Sequence, residues 1–414
     1  MKLRILIILS LLSTQTFADG LGAPTDFEST AVLPKGIRNV KMLSFTTEVL
    51  SKFDSGGSVN SLGSKFQKNV TYSDLYKGRP AAEQELTKGY MQSQGIDNPE
   101  TKTFGSTTGS ASARVTATIP VFAFGVSEKW TTALAFPIVY TNTFVDTAFS
   151  VTEGGQAFFG KLASDTNTNK AKAGQQKFIN PVVDQVNYLG YEPLQGESQT
   201  SLGDVRWINK YLISKNISRA ILIKQFVTLP TGKVANPNNL MAISTGDGQW
   251  DLGAAAIADW YLSPKFTLTT HLDYTAQAPD HTAKRIPVSS DSSLSPDTDY
   301  KTYRNLGDLA GGSVALKYEV HETTTLGVGY SIQHKYGDVY RGSQYAQARY
   351  DYLTNDTDQD MRAVLAGVNF STIPLFRKKL FAAPLEAKAN YTEILAGRNV
   401  AADSIYAVDV SVYF

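Results

Sequence analysis

Histidine and carboxylate side chains are the groups in this chain that could carry out acid–base or metal chemistry. The 414 residues include four His (His271, His281, His321 and His334) and no Cys. No two His have the HExxH or HxH spacing of a metal site, and the chain has no thiol nucleophile. His271 and Asp273 are two positions apart, so on a strand their side chains point the same way. A hydrolase would also need a nucleophile context such as GxSxG, which is absent. The sequence predicts no enzyme, no metal and no cofactor, with a hydrolase using this pair as a minority alternative.

Other charged residues recur at every second position, opposite to apolar residues. In a membrane barrel the apolar parity faces lipid and the other parity faces the lumen. This pattern predicts twelve lumen-lining residues: Arg114, Asp204, Arg206, Lys210, Lys224, Asp251, His271, Asp273, Lys317, Glu319, Glu386 and Lys388. A strongly selective pore carries a ring of one sign. Because both signs are similarly frequent here, we expect weak charge selectivity, or charges that simply pair and fix the shape of the barrel.

The overall charge balance excludes one class of partner. Lys and Arg number 39 against 38 Asp and Glu, for a formal net charge of +1. A nucleic-acid-binding protein would show a basic excess, so no nucleic acid is expected. No linker or change of composition marks a second soluble domain, and one large closed barrel is compatible with the length.

The N-terminus resembles an export signal. Lys2 and Arg4 precede a short apolar run, residues 5–12, and residues 16–18 end in Ala18. This is the pattern of a secretory signal peptide, whereas a membrane-spanning helix needs about 20 apolar residues. We expect a cleaved signal peptide over residues 1–18.

The remaining chain divides into two parts in this interpretation. Residues 19–38 are too few to fold alone, and we expect them to lie in the periplasm or to plug a barrel. Residues 39–414 are expected to form the barrel itself.

Alternation with a period of two predicts strands rather than helices along the chain. In the last segment, for example, apolar Tyr406, Val408, Val410 and Val412 alternate with Asp409 and Ser411. Such runs predict about twelve strands, over residues 39–54, 110–125, 129–150, 202–214, 217–230, 249–262, 265–278, 311–321, 323–338, 361–371, 384–396 and 403–414. The fold class is therefore all-β, a single antiparallel transmembrane β-barrel.

The predicted connections alternate between short and long. Tight turns follow most even-numbered strands, and long polar loops follow odd-numbered strands at about 55–109, 151–201, 231–248, 279–310 and 339–360. This asymmetry is typical of barrels with short periplasmic turns and long extracellular loops. Two connections fit less well, because 372–383 is long for a turn and 397–402 is short for an outer loop. A local helix is expected from Pro80 to Leu86, and a solvated loop from Ser289 to Asp299.

The terminal residue is Phe414, at the end of an alternating strand. This resembles the C-terminal signature of bacterial outer-membrane barrels, in which the last strand is read by the assembly machinery. The resemblance implies that Phe414 is an assembly signal and that the barrel-assembly machinery is a partner.

From Leu202 onward, three short motifs support a family resemblance: Leu202-Gly203-Asp204, Leu229-Pro230-Thr231-Gly232, and Thr245-Gly246-Asp247-Gly248-Gln249-Trp250-Asp251. Their order resembles the outer-membrane transporter family named after the meta-pathway of phenol degradation, which is loosely related to fatty-acid-type channels for hydrophobic solutes. The match covers about the C-terminal half. The resemblance implies transport, with hydrophobic solutes among the candidates.

The sequence thus predicts an outer-membrane channel of a Gram-negative-type bacterium for passive uptake of small solutes, hydrophobic ones included. The expected partners are outer-membrane lipids, lipopolysaccharide, the barrel-assembly machinery and a small-molecule solute, with a monomer favoured. The alternative is a closed structural or surface-binding, adhesin-like barrel that acts through loops 55–109 and 151–201.

Overall fold

Alternating strands close into one antiparallel barrel in the computed structural model, which describes residues 20–76, 81–165, 181–290 and 294–414. The barrel has twelve strands, as the alternation predicted. They are β1 (Arg38–Val49), β2 (Thr103–Ser127), β3 (Trp130–Ala135 with Ile138–Val151), β4 (Ser198–Leu202 with Val205–Lys215), β5 (Arg219–Leu229), β6 (Asp251–Tyr261), β7 (Phe266–Gln277), β8 (Leu309–His321), β9 (Thr324–Lys335), β10 (Gln359–Ser371), β11 (Leu385–Arg398) and β12 (Ile405–Tyr413).

Strands β3 and β4 are each interrupted once, at adjacent positions. Pro137 has no amide hydrogen to donate to a ladder, and it separates the two parts of β3. The carbonyl of Pro137 instead accepts a hydrogen bond of 2.7 Å from the amide of Gly203, which lies at the break in β4. The two breaks therefore lie side by side in the wall of the barrel.

The barrel closes between its first and last strands. β1 pairs with β12 from Asn39 opposite Tyr413 to Thr46 opposite Tyr406, and with β2 on its other side. Beyond this ladder, the amide of Arg38 donates to the carbonyl of Phe414 at 2.8 Å. The closed ladder leaves no free sheet edge in the wall, as a membrane barrel requires.

The two faces of the wall differ in the way the alternation predicted. In β12, Tyr406, Val408 and Val410 are 60%, 55% and 51% exposed on the outer face, whereas Asp409 and Ser411 are buried on the inner face. An apolar outer surface of this kind suits contact with lipid.

Short turns lie at one end of the barrel, here called the turn end, and the long connections lie at the other, the loop end. The expected exception at 372–383 is explained by a short helix, α5 (Ile373–Arg377). The connection between β11 and β12 is short at the loop end, as expected from the sequence.

The connections at the loop end contain the other regular elements. The helices are α1 (Ala81–Ser93), α2 (Glu153–Asp165), α3 (Pro181–Tyr188) and α4 (Gln347–Asp351), with 3-10 turns at Leu62–Phe66, Tyr72–Leu75 and Tyr352–Thr354. Short strands run over Ser51–Phe53, Val59–Ser61, Lys68–Thr71, Asp280–Arg285, Thr298–Asn305 and Val339–Arg341. The predicted helix corresponds to α1, although Pro80 lies outside the described residues. No helix in the described ranges is long and apolar enough to span a membrane.

The first two long loops share a hydrophobic core, which we call the cap. β2 has 25 residues, far more than the about 10 that cross a membrane, so its loop-end half projects beyond the wall and packs against this core. The cap core contains Leu62, Phe66, Val70, Tyr72, Leu75, Tyr76, Met91, Ile96, Phe104, Phe158, Val182, Val186, Tyr191 and Leu294. Burial raises the pKa of Tyr76 to about 12, and its hydroxyl donates to Glu100 at 3.3 Å.

The region 289–299, expected to be a solvated loop, differs from that prediction. Leu294 is buried in the cap core and Ser295 is only 2% exposed. The hydroxyl of Tyr191 accepts a 3.1 Å hydrogen bond from the amide of Ser295. A polar local sequence therefore becomes buried here because a distant loop covers it.

Candidate functional site in the barrel lumen

Residues 20–37, which we call the N-terminal segment, lie inside the barrel. At the loop end, the amide of Leu21 donates to Gln359 at 2.8 Å, and Leu21 packs in a small apolar cluster with Met361. At the turn end, the amide of Leu33 donates to Thr131 at 2.7 Å. The segment thus passes along the lumen from one end to the other.

Three glycines on the inner face make room for one aromatic ring of the segment. A Cβ atom at Gly327, Gly329 or Gly367 would lie 2.8, 3.4 or 3.0 Å from ring atoms of Phe27. Gly327 and Gly329 are on β9 and Gly367 is on β10, so adjacent strands form one slot. Glycine at lumen-facing positions was the signal in the sequence that could have located this slot.

Five lysines from five strands contact three residues of the segment, Asp26, Glu28 and Ser29. We call them the lysine ring: Lys41 on β1, Lys210 on β4, Lys224 on β5, Lys317 on β8 and Lys388 on β11. Four of the five were predicted to line the lumen, and Lys41 was missed. They are distributed around the barrel because each occupies a lumen-facing position of its own strand.

Two carboxylates of the segment receive three of these lysines. Lys41 and Lys388 each lie 2.8 Å from the same oxygen of Asp26, and Lys224 pairs with Glu28. Behind Asp26, the fully buried carboxylate of Asp409 lies 3.1 Å from Lys41.

The other two lysines of the ring hold the backbone of the segment. Lys317 donates to the carbonyl of Glu28 at 2.6 Å, and Lys210 donates to the carbonyl of Ser29 at 3.0 Å. One residue further, both the amide and the hydroxyl of Thr30 donate to Asp259, at 2.9 and 2.5 Å. Backbone and side chains of the segment are therefore both fixed to the wall.

A cavity of about 500 Å³ lies between the segment and the wall from β4 to β10. The guanidinium of Arg206 sits over the ring of Phe226 at 4.6 Å on this wall. Nearby, His271 Nδ1 is 3.6 Å from Asp273 Oδ1, so the predicted pair does lie side by side. Both residues line the cavity together with Lys224.

The cavity wall also has spare hydrogen-bonding capacity. Among the described residues, several buried polar atoms of the lining have no hydrogen-bond partner: Asp251 Oδ1, His271 Nε2, Gln277 Oε1, Ser331 Oγ and Gln333 Oε1. Buried polar atoms are normally paired. This part of the lumen is therefore suited to water or to polar groups of a solute.

The three motifs that carry the family resemblance meet at the loop end of the lumen. The carboxylate of Asp204 accepts hydrogen bonds from the amides of Gly232 at 2.8 Å and Asp247 at 3.0 Å. A Cβ at Gly246 would lie 2.5 Å from Asp204, so glycine is required there for the close approach. The predicted lumen residue Asp204 thus holds the β5–β6 loop against the break in β4.

Three predicted lumen residues lie away from the segment. Arg114 is on the outer face, half exposed and paired with Glu48 at 2.8 Å, which corrects its assignment to the lumen. Both parities of β2 carry small residues around this position, so the alternation did not distinguish its two faces. Glu386 accepts from the hydroxyl of Tyr413, and Glu319 is exposed near the turn end.

Metal binding has no visible support in the described part of the chain, where no group of three or more His, Asp or Glu side chains could hold an ion. The acidic run Asp356–Asp360 is engaged with cations instead. Arg398 lies 2.5 Å from Asp358 and 2.8 Å from Asp360, and His334 lies 2.8 Å from Asp360.

Comparisons with known proteins give similarity in structure only. No protein-family model matches the chain, and no curated protein matches it. The crystal structure of an outer membrane channel from Pseudomonas putida F1 is similar with a TM-score of 0.53, at 12% identity, over 94% of this chain and 100% of that one.

Two further solved structures are more distant. The Pseudomonas putida toluene transporter TodX aligns with a TM-score of 0.33 at 9% identity, over 92% of this chain and 89% of that one. The CymD monoaromatic hydrocarbon channel aligns with a TM-score of 0.36 at 8% identity, over the same two shares. The channel from strain F1 confirms the predicted fold, that of an outer-membrane β-barrel.

Proposed function

We propose that the protein is a channel for passive uptake of small solutes across the outer membrane of a Gram-negative-type bacterium, with the N-terminal segment as its plug. The observation that carries this proposal is the course of residues 20–37 through the lumen, from Leu21 at the loop end to Leu33 at the turn end. In a channel, a segment in this position would close the lumen until it is displaced. The similar fold of an outer membrane channel supports the same reading.

Apart from its peptide link to β1, the plug is held by noncovalent contacts, since the chain has no Cys. Its contacts are ion pairs and hydrogen bonds to the wall, such as those from Thr30 to Asp259. Contacts of this kind exchange with water or with polar solute groups. Displacement of the segment would therefore open a continuous route beside or through the cavity.

An apolar groove on the outer face would receive hydrophobic solutes, the class of solute that the family resemblance implies. The groove, of about 740 Å³, is lined by Ala256, Ala258 and Leu272. It lies directly outside the lumen cavity, and both are bounded by Gly312 and Val314 of β8. The wall is thin at this place because glycine and alanine replace larger side chains.

The proposed location and partners follow from the same barrel. The apolar outer face would contact lipids and the lipid part of lipopolysaccharide, and the barrel-assembly machinery would read the last strand up to Phe414. Residues 1–18 would be removed on export. Since β1 and β12 of one chain close the wall, a monomer is sufficient.

A disulfide lock tests the proposal. In the full chain, Thr30→Cys combined with Asp259→Cys places two thiols where the side chains now touch. We expect few open steps from the oxidised protein in a planar bilayer and restored conductance after reduction. The single variant Thr30→Cys is the control and should not respond to reductant. Equal conductance of the oxidised and reduced double variant would contradict the plug.

A further inference from the structure

We infer that the lysine ring is a binding site for the carboxylate of an aromatic acid, which Asp26, Phe27 and Glu28 occupy in this structure. The inference rests on the proposed function and names the class of solute that competes with the segment. Its starting point is the chemistry of the occupant, an aromatic ring flanked by two carboxylates.

The charges of the wall require an anion at this position. The five lysines of the ring contact the segment at Asp26, Glu28 and Ser29. On the wall, Asp409 pairs with two of the lysines, and Asp259 binds the segment at Thr30. If the segment left without a substitute, the five lysines would lose the carboxylates of Asp26 and Glu28, and three wall carboxylates, Asp259, Asp273 and Asp409, would remain near them. Uncompensated charges in a confined site are costly, so an entering anion favours the displaced state.

The geometry suits a carboxylate in particular. The two oxygens of Asp26 receive Lys388 at 3.1 and 2.8 Å, while Lys41 shares the nearer one. The ammonium groups of Lys388 on β11 and Lys41 on β1, which lie on either side of β12, thus bind one carboxylate. A free monocarboxylate can make the same charge-assisted hydrogen bonds.

An apolar slot lies beside this carboxylate site. Phe27 follows Asp26 directly and its ring lies against Gly327, Gly329 and Gly367. When the segment leaves, the slot and the lysines remain next to each other. A benzoate-sized molecule could place its ring in the slot and its carboxylate between Lys41 and Lys388.

The solute has a way to reach the ring. The cavity beside the segment is bounded by Asp26, Phe27 and Glu28 on one side and by Arg206 and Lys224 on the other. Its wall carries the cations Arg206 and Lys224 and also the carboxylates of Asp247, Asp251 and Asp273. Lys224 is the ring lysine that the cavity reaches directly, and the place between Lys41 and Lys388 opens when the segment leaves.

The test measures displacement of the segment directly, without transport. Ser29→Cys introduces a single thiol into the refolded full chain, which has no other Cys. The rate of its modification by a soluble maleimide reports how often the segment leaves the ring. A ligand that binds only the displaced state raises that population by the factor one plus its concentration over its dissociation constant. Benzoate at about ten times that constant should therefore raise the rate about tenfold.

Matched probes and variants test whether both the carboxylate and the aromatic ring of the ligand are needed to displace the segment. Benzamide has the same size without the charge, and acetate has the charge without the ring, so neither should reach the effect of benzoate. Lys388→Gln in the reporter chain should weaken the benzoate effect several-fold, and Lys388→Arg should largely keep it. An equal effect of benzamide, or no effect of benzoate on the wild-type ring, would overturn the inference. If either of these results is found but the disulfide lock still controls conductance, only this inference fails and the proposed function stands.

Discussion

An ammonium hydrogen bond joins two residues 362 positions apart: Lys388 Nζ lies 2.8 Å from a carboxylate oxygen of Asp26. Lys41, on the strand two places further round the wall, reaches the same oxygen at 2.8 Å. Residue 26 is thereby fixed both to β11, near the C-terminal end of the chain, and to β1. These ion pairs lie in the lumen. They require both the closed wall, which brings β11 and β1 near each other, and the segment in its place inside it.

Removing this carboxylate should loosen the plug. Asp26→Asn keeps the size of the side chain but removes the charge that pairs with Lys41 and Lys388. Hydrogen bonds to charged groups contribute about 1.5–3 kcal/mol each. Because Asp409 stays beside both lysines, we expect a loss near the lower value, which corresponds to about a tenfold rise in the open fraction. Single-channel recording measures this fraction.

The matched control for that charge change is Glu319→Gln, since Glu319 has the lumen parity but is exposed near the turn end. It should leave the open fraction unchanged. If both variants open the channel equally, the effect would reflect lumen charge in general rather than release of the segment.

A methyl group at Gly125 should disturb the plug at the turn end. The Cβ of Gly125→Ala would lie 2.0 Å from the carbonyl oxygen of Pro34. The amide of Gly36 would also lose its 2.8 Å bond to the carbonyl of Gly125. We expect faster amide hydrogen exchange at Gly36 and a higher open fraction. Gly22→Ala is the control, because no atom beyond its chain neighbours lies within 4 Å of its Cβ position; similar exchange in both variants would count against this account.

The cap should be separable from the barrel. Phe66 is completely buried in the cap core, and truncation of a buried Phe to Ala costs about 3–5 kcal/mol. Phe66→Ala should therefore expose the first long loop to protease while the barrel keeps its heat-modifiable migration on gels. Val59→Ala, at a position 57% exposed, should change neither. Loss of the folded barrel in Phe66→Ala would show that the cap is needed for the wall.

The last residue offers a test of assembly. The side chain of Phe414 is 60% exposed, while its backbone pairs with Arg38. Phe414→Ala should therefore leave the refolded barrel intact in detergent, but lower its amount in the outer membrane of expressing cells several-fold. Tyr406→Ala removes an aromatic side chain of equal exposure from the same strand and should reach the membrane normally. Equal amounts of the two variants there would refute a special role for Phe414.

Much of the wall could be predicted from the sequence, because its information is local. Alternation along a strand reflects the two faces of that strand, and in β12 lipid on one side and lumen on the other make Val408 and Asp409 different. The number of strands follows from this period. The lengths of the connections between strands predict which end of the barrel carries the long loops. Around Arg114 the pattern failed, because the part of β2 near the loop end has small residues on both parities.

The arrangement inside the barrel was decided only by the tertiary structure. Nothing local to Lys210, Lys317 or Lys388 indicates that they share one partner, since strand pairing and curvature bring them together. The same holds for Phe27 and its glycines, which are 300 or more positions away in sequence. The sequence by itself determined a membrane barrel with a polar lumen, whereas closure of the wall determined that its own N-terminal carboxylates occupy that lumen. The physical reason is that alternation specifies the face of each side chain, but only the closed ladder specifies what lies opposite it.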